Sequence, residues 1–284
     1  MISHQDITPC IRANVNAALK EDVRDGDLTV QLIPEHAQAQ ATVITRQDAV
    51  LCGTPWFDAC FKTLDATCSI NWQAKDGDFI KAGQTLCHIH GKARALLTAE
   101  RSALNFLQLL SATATLTRQY VDAVAGANTK IMDTRKTLPG LRVAQKYAVK
   151  TGGGHNQRMG LFDGILIKEN HILAAGGIVP VLKQAAHLAS ADTSIQIEVE
   201  SLAQLREALE AGARLILLDN FNLDDMRAAV TLTAGRAELE ASGGVNLDTV
   251  RAIAQTGVDR ISIGALTKDV QAIDLSMRFD ARNE

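Results

Sequence analysis

The sequence predicts an α/β protein in which a small mixed α+β domain precedes a parallel sheet built from β-α units. After Gly126, short apolar segments alternate with helical stretches of roughly a dozen residues, which is typical of a parallel sheet. Before that point, strand-like and helix-like segments are mixed around turn signals such as Asp25-Gly26-Asp27 and Asp76-Gly77-Asp78. The chain is therefore expected to form two domains.

The first half of the chain supplies the elements of the mixed domain. Thr8 is predicted to cap a first helix that runs to about Val23, with Pro9 at its first position, where the missing N–H costs nothing. The other predicted elements are strands at 39–50, 68–73 and 84–90, a helix that Thr54-Pro55 caps and that ends near Leu64, and a long helix from Ala93 to about Val124. The long helix is expected to link the two domains.

The second half supplies the strands of the parallel sheet. The predicted strands are Lys130–Asp133, Gly164–Lys168, Ile195–Glu200, Leu215–Asp219, Ala237–Ala241 and Arg260–Gly264. Each ends in, or runs directly into, a polar or glycine-rich cluster, and in an α/β barrel the carboxyl ends of the strands carry the active site. Strand ends are also polar because they meet loops. The convergence of six such ends favours a shared site.

The overall charge excludes several classes of function. With 29 Lys and Arg against 32 Asp and Glu, the net charge is −3, which gives no general attraction for nucleic acid or an anionic membrane. No apolar run approaches the ~20 residues that span a bilayer, and the N-terminus lacks the pattern of a secretion signal. The five cysteines show neither disulfide nor zinc spacing. We expect a cytoplasmic protein with reduced thiols.

A dense group of cations in the first two β-α units indicates an anionic ligand. Arginine suits bidentate capture of a carboxylate, whereas lysine acts as a compact charge on phosphate. A ligand that carries both groups would use both residue types. The group consists of Arg135, Lys136, Arg142, Lys146, Arg158 and Lys168.

Two further patterns at the strand ends suggest a phosphate site and a metal site. Ser242-Gly243-Gly244 and Ile263-Gly264-Ala265 follow the last two strands, where barrels commonly bind phosphate through backbone N–H groups, although turns also require glycine. Glu198 and Asp219 end neighbouring strands and offer the hard oxygen ligands that Mg²⁺ uses together with a phosphorylated substrate. The alternative is that these carboxylates neutralise nearby cations.

Several longer motifs resemble the quinolinate phosphoribosyltransferase family from the first helix to the last strand. The motifs are Arg101–Gln108 (RSALNFLQ), Asp133–Arg142 (DTRKTLPGLR), Lys146–Val149 (KYAV), Gly152–Gly160 (GGGHNQRMG), Leu166–His171 (LIKENH), Glu198–Glu200 (EVE), Leu218–Asn220 (LDN) and Ser242–Gly244 (SGG). The resemblance implies transfer of a phosphoribosyl group from phosphoribosyl pyrophosphate to quinolinate, with loss of CO₂. It also implies Mg²⁺ as cofactor.

The same resemblance implies a fold and an assembly. An N-terminal α/β sandwich domain is expected over residues 1–112 and an incomplete, seven-stranded α/β barrel over 113–284, with the last ~15 residues as a segment that could pack on the first domain. Family members look like homodimers with shared active sites. Because only six strands are evident in the sequence, a seventh is expected somewhere between residues 144 and 157.

The resemblance also assigns roles to single residues. The two carboxylates of quinolinate would be held by Arg135, Lys136 and Arg158, with Arg101 contributed by the partner subunit. Lys168 would contact the phosphoribosyl donor or the ring, while Glu198 and Asp219 would bind the ribose hydroxyls and Mg²⁺. The 5-phosphate would lie on Ser242, Gly243, Gly244, Ile263, Gly264 and Ala265, and Thr134 belongs to the same substrate-binding set. Lys136, Lys168, Glu198 and Asp219 form the expected catalytic group.

One position departs from the family pattern. Family members usually show His-Arg after the glycine run, whereas here Gln157 precedes Arg158 and a histidine stands at His155. Gln157 can donate a hydrogen bond to a substrate carboxylate but cannot carry charge. His155 could replace a required cation, since residues two apart on an extended strand share a face.

Three other functions fit parts of the sequence. A phosphosugar lyase would form a Schiff base on Lys168, but it gives Arg135 and Arg158 no purpose. A non-catalytic anion-binding protein would keep the cations and lose the chemistry, and only Gln157 speaks for it. Within the family, nicotinate could replace quinolinate as acceptor, although the cations favour a dicarboxylate.

Overall fold

The computed structural model describes residues 4–280, which form two compact units. The first unit contains the chain up to Arg118, residues 138–153 and the chain from Asp269 onward, and the second contains residues 119–137 and 154–268. The helices are α1 His4–Asp22, α2 Thr54–Leu64, α3 Ala93–Ala123, α4 Arg142–Thr151, α5 Glu169–Ala174, α6 Ile178–Leu188, α7 Leu202–Glu210, α8 Leu223–Thr233, α9 Val250–Ala254 and α10 Ala265–Lys268. The strands are β1 Gln38–Thr45, β2 Ala49–Val50, β3 Ser69–Trp72, β4 Phe79–Ile80, β5 Thr85–Lys92, β6 Lys130–Met132, β7 Gly164–Ile167, β8 Ser194–Val199, β9 Leu215–Asp219, β10 Glu238–Ser242, β11 Arg260–Ser262 and β12 Leu275–Phe279.

The first unit is built on an antiparallel sheet in the order β12-β1-β5-β3. Alternate residues of β1 and β5 are buried, as expected for strands with one face on a core. Helix α2 fills that core with Trp56, Phe57 and Phe61, which are at most 1% exposed. A short ribbon of β2 and β4 completes the sheet structure in this part of the described chain.

Three predictions about this unit are wrong at the ends of elements. Helix α1 begins at His4, so Thr8 is not its N-cap and Pro9 lies inside the helix. The predicted strand 39–50 is broken, because the chain turns after Thr45, whose hydroxyl donates to the Gln47 carbonyl at 2.7 Å. The span of α2 is confirmed, but Gly53 rather than Thr54 is its N-cap.

The second unit contains a parallel sheet in the order β6-β11-β10-β9-β8-β7, and its six strands lie within two residues of the predicted ends. The sheet is strongly curved. Gln196 on β8 donates to Glu240 on β10 at 3.0 Å although β9 lies between these strands, so both side chains occupy a common concave interior. The barrel predicted from the sequence is thus recognisable within residues 119–268.

The seventh strand exists only as a single bridge. His155 pairs in parallel with Met132, next to β6, in an isolated bridge rather than in a strand. A full strand was expected between residues 144 and 157. Residues 144–151 of that range instead belong to α4, which is part of the first unit. None of the helices within residues 4–280 combines the length and apolar character that crossing a bilayer requires.

Candidate active site at the carboxyl ends of the barrel strands

The register of the parallel sheet brings Lys168 and Glu198 together. Ile167 lies beside Ile197 in the β7–β8 pair, so the residues that follow them are neighbours at the same edge. The Lys168 Nζ lies 3.3 Å from Glu198 Oε2. The side chain of Glu198 is only 9% exposed, whereas that of Lys168 is about half exposed. This ion pair therefore stands at the boundary between the barrel interior and solvent.

A second carboxylate lies close enough to affect the first. Burial raises the pKa of Glu198, the charge of Lys168 opposes that rise, and the Asp219 carboxylate adds to it. Asp219 ends β9 and lies beside Ser242 in the neighbouring strand β10. The predicted metal-binding pair is thus brought together, and its crowded negative charge would be relieved by a cation.

The turns after β9 and β10 interlock through Asn220 and Gly243. Asn220 has a φ of +56° and donates its backbone N–H to the Ser242 carbonyl at 3.0 Å. Gly243 has a φ of +101°, and a Cβ on it would overlap the Asn220 side-chain amide. The glycine is therefore required by the turn itself, whatever it binds.

The ends of β6 and β11 form a second cluster around Lys136. The Thr134 hydroxyl accepts from the Lys136 backbone N–H at 3.0 Å, and the Thr267 hydroxyl donates to the Lys136 carbonyl at 2.7 Å. A Cβ on Gly264 would lie 3.1 Å from the Lys136 side chain and 3.8 Å from that of Lys268. Lys268 was missed in the sequence because it lies beyond the predicted strand end.

Arg135 and Arg158 follow adjacent segments, since Met132 and His155 are paired and each lies three residues before one of these arginines. Burial lowers the pKa of Arg158, the charge of Arg135 lowers it further, and Asp163 counteracts both. The Arg158 guanidinium donates to the Gly164 carbonyl at 2.9 Å, which fixes its direction at the start of β7. Two arginines on adjacent segments are suited to an anion with two charges.

A buried polar network that the sequence analysis did not identify lies below these groups. Glu240 is completely buried, and its carboxylate accepts from the side chains of Gln157 and Gln196 and is hydrogen bonded to Ser262. Burial raises the pKa of Glu240, while these hydrogen bonds and the charge of Arg260 oppose the rise. The available signal was the alternation of polar residues along β10, because Glu240 and Ser242 share one face.

Three predicted cations belong to the first unit. Arg101 is exposed on α3, and both Arg142 and the completely buried Lys146 lie on α4. The second unit by itself therefore contains Arg135, Lys136, Arg158 and Lys168 of the predicted set.

The donor set suits a cation that is shared with a substrate. No cluster of three or more His, Cys, Asp or Glu side chains suited to a metal occurs in the described part of the chain. Glu198 and Asp219 offer carboxylate oxygens, and Mg²⁺ is commonly held by one or two carboxylates together with substrate phosphates. The two residues fit that mode of binding.

Comparisons with known proteins agree along almost the whole chain. Residues 27–111 match the family model for the N-terminal domain of quinolinate phosphoribosyl transferase, and residues 113–278 match the model for its C-terminal domain. A probable nicotinate-nucleotide pyrophosphorylase [carboxylating] from Bacillus subtilis is 42% identical over 95% of this chain and 93% of its own length. The corresponding protein of Mycobacterium leprae is 41% identical over 94% and 96%.

Solved structures give the same result. The nicotinate-nucleotide pyrophosphorylase of Francisella tularensis matches with a TM-score of 0.93 at 42% identity, covering 96% of both chains. NadC from Streptococcus pyogenes also matches with a TM-score of 0.93, at 38% identity over 99% of both chains.

Proposed function

The chain belongs to the quinolinate phosphoribosyltransferase family, and on this basis we propose that its barrel site transfers the phosphoribosyl group of phosphoribosyl pyrophosphate to quinolinate. The transfer releases pyrophosphate, and loss of the 2-carboxylate as CO₂, with a proton taken up at C2, then gives nicotinate mononucleotide, a step of NAD biosynthesis. The observation that carries the proposal is that Arg135 and Arg158 follow two segments joined by the Met132–His155 bridge and by the Asp133–Gln157 hydrogen bond, in a chain that matches the family over both of its domains.

The arginine pair accounts for the choice of a dicarboxylate. Two guanidinium groups that repel each other in the free enzyme are both satisfied by a ligand with two adjacent carboxylates. Nicotinate, with one carboxylate, would leave part of this repulsion uncompensated. Lys136, after β6, would add a further positive charge for the same ligand.

Catalysis requires alignment and charge rather than a covalent nucleophile. Departure of pyrophosphate leaves an oxocarbenium-like ribose, and the site must hold the ring nitrogen of quinolinate in line with it. Glu198 and Asp219 would bind the ribose hydroxyls and the developing positive charge. Lys168, which is paired with Glu198, would contact the donor or the ring.

The phosphate and metal sites complete the proposal. Mg²⁺ would be held by Glu198 and Asp219 with oxygens of phosphoribosyl pyrophosphate, and it would neutralise the leaving pyrophosphate. The 5-phosphate would lie on the backbone around Ser242, Gly243, Gly244, Ile263, Gly264 and Ala265, with Thr134 at the same edge.

We further propose a homodimer with shared active sites, working in the cytoplasm. Arg101 belongs to the first unit, whereas the remaining substrate cations belong to the second. In the proposed dimer, a second copy of the chain supplies Arg101. All five cysteines are free thiols, and four are buried, in keeping with a reducing compartment.

The lyase alternative conflicts with the contact that Lys168 makes. Schiff-base formation requires an amine that is available to attack a carbonyl, whereas the Lys168 Nζ is held in an ion pair 3.3 Å from Glu198 Oε2. The family match favours the transferase over both the lyase and a non-catalytic protein, because the matched relatives are named as nicotinate-nucleotide pyrophosphorylases.

The test is a direct assay with two acceptors. Enzyme, Mg²⁺ and phosphoribosyl pyrophosphate are mixed with either quinolinate or nicotinate, and pyrophosphate and CO₂ are measured. We expect turnover of quinolinate with equal amounts of both products, and little turnover of nicotinate. Arg158→Gln should abolish the preference, whereas Arg214→Gln, at the opposite end of the barrel, should not. Equal use of nicotinate, or no use of quinolinate, would overturn the proposal.

A further inference from the structure

Glu240 is a buried carboxylate that no step of the proposed reaction uses. It lies in the middle of β10 with no exposed surface, and three side chains from separate parts of the barrel are hydrogen bonded to it. Gln157 Nε2 lies 2.6 Å from its Oε1, Gln196 Nε2 lies 3.0 Å from its Oε2, and Ser262 supplies the third bond. Burial of a carboxyl group is costly unless its oxygens are hydrogen bonded, and the three side chains around Glu240 supply those bonds.

The contacts of Gln157 direct its side chain into the barrel. Its amide nitrogen carries two hydrogens, and that nitrogen lies within hydrogen-bonding distance of both oxygens of Glu240 and 3.4 Å from Gln196 Oε1. The donor that the sequence prediction assigned to a substrate carboxylate is thus engaged with two interior partners.

The backbone of Gln157 is tied to the other arginine loop. Its N–H donates to Asp133 Oδ1 at 2.8 Å, and the Asn156 amide donates to Asp133 Oδ2 at 2.7 Å. Asp133 is completely buried and lies two residues before Arg135, just as Gln157 lies directly before Arg158. One residue therefore connects the segments that carry both arginines.

We propose that Glu240 and Gln157 are positioning residues that fix the spacing of Arg135 and Arg158 for a dicarboxylate, and that Gln157 does not itself contact the substrate. The identity of the dicarboxylate rests on the proposed function. In this arrangement Glu240 anchors the Gln157 side chain and Asp133 anchors its backbone. Arg158, directly after Gln157, and Arg135, two residues after Asp133, are thereby held at a fixed spacing. The neutral glutamine supplies the donor that this anchor needs without adding a charge.

The main test is the isosteric substitution Glu240→Gln. The new amide nitrogen would face one of the three donors, so at least one hydrogen bond of the network breaks. We expect the KM for quinolinate to rise about 10-fold, with less than about a 2-fold change in kcat and in the KM for phosphoribosyl pyrophosphate. Calorimetric titration of quinolinate alone should show the same loss of affinity.

The matched control is Glu238→Gln, two residues earlier on the same face of β10. Glu238 forms ion pairs with Lys130 and Arg260 at the opposite end of the barrel, so its loss should leave both KM values unchanged. A double-mutant cycle tests whether Glu240 acts through Gln157. Glu240→Gln should have no further effect on quinolinate KM in a Gln157→Met background. Independent, additive effects would overturn the proposal.

Gln196→Met keeps the proposal testable if Glu240→Gln does not fold. Gln196 contacts Glu240 from β8, so positioning predicts a rise of about 3-fold in quinolinate KM, whereas direct substrate contact by Gln157 predicts none. An unchanged quinolinate KM in Glu240→Gln, or in Gln196→Met when Glu240→Gln does not fold, overturns the proposal. So does a parallel rise for both substrates, which would indicate a merely structural role. A wild-type enzyme that does not use quinolinate would instead overturn the proposed function.

Discussion

The two glycines after β10, Gly243 and Gly244, should tolerate substitution differently, because only Gly243 lies against Asn220. Gly243→Ala should destabilise the protein by about 2–4 kcal/mol, because the methyl group overlaps the Asn220 amide and φ is positive. Thermal unfolding of the purified variant measures the change.

Gly244→Ala is the matched comparison. Its φ is +60°, but a Cβ there meets no atom within 4 Å, so only the backbone cost of about 1 kcal/mol remains. Equal destabilisation by both substitutions would contradict the interlocked turns.

Glu198 and Asp219 should control the response to Mg²⁺. Glu198→Gln and Asp219→Asn keep the shape of each side chain, so the fold should remain and turnover should fall about 100-fold, since each removes charge from the proposed metal site. Pyrophosphate release measured against Mg²⁺ concentration provides the test. The control is Glu200→Gln, just beyond β8, where the side chain is exposed. Full activity of both site variants at limiting Mg²⁺ would reject the assignment.

The pH dependence of activity should follow the ionisation of Glu198. Burial raises the pKa of Glu198, so the carboxylate becomes protonated at a higher pH than an exposed glutamate would. If ionised Glu198 is needed, activity should fall as pH decreases through a range above the usual one for glutamate. An acid limb that is unchanged in Glu198→Gln would show that another group controls it.

At the scale of elements, the start of α2 depends on a residue far along the chain. The Asp76 carboxylate accepts from the backbone N–H groups of Gly53 and Thr54 at 3.0 and 3.1 Å, and from the Tyr147 hydroxyl at 2.8 Å. Asp76→Ala should therefore cost about 2–3 kcal/mol of stability, because the first N–H groups of the helix and the half-buried Tyr147 hydroxyl all lose this acceptor.

Two controls separate this cap from local effects. Asp78→Ala removes one turn contact, to the Lys75 N–H, and should cost about 1 kcal/mol or less. Thr54→Ala should cost less than about 0.5 kcal/mol, because Thr54 is not the cap. Urea denaturation of the three variants gives the comparison, and a large effect of Thr54→Ala would contradict the assignment.

The elements also show what could be predicted from the sequence. The parallel strands were located within two residues because each is an apolar run that ends in polar residues, which is a local signal. The cap from Asp76 and the single bridge at His155 depend on partners distant in sequence. The bonds between Glu240 and Gln157 were equally invisible, since 83 residues separate them. Local patterns identified the edge that carries the site, but not the interior network beneath it.

At the scale of the whole molecule, the prediction concerns subunit sharing. Arg101→Ala and Lys168→Ala are each expected to be inactive. If Arg101 completes the site of the partner subunit, a mixed dimer has one site with both defects and one with neither. Activity should then return to about a quarter of the wild-type level after random subunit exchange. Continued inactivity after demonstrated exchange would reject the shared site.

The order in which the ribosome releases the chain has a consequence for the first unit. Strand β1, near the N-terminus, is completed at its outer edge by β12, and Thr45 and Leu275 are register partners in that pair. Domains are generally expected to fold in the order of their synthesis. Here the sheet that begins first keeps an open edge until β12, Leu275–Phe279, has been translated. An unpaired edge strand is a template for association with other chains. The nascent protein is therefore most exposed to aggregation, and most dependent on chaperones, at the start of its sequence rather than at its end.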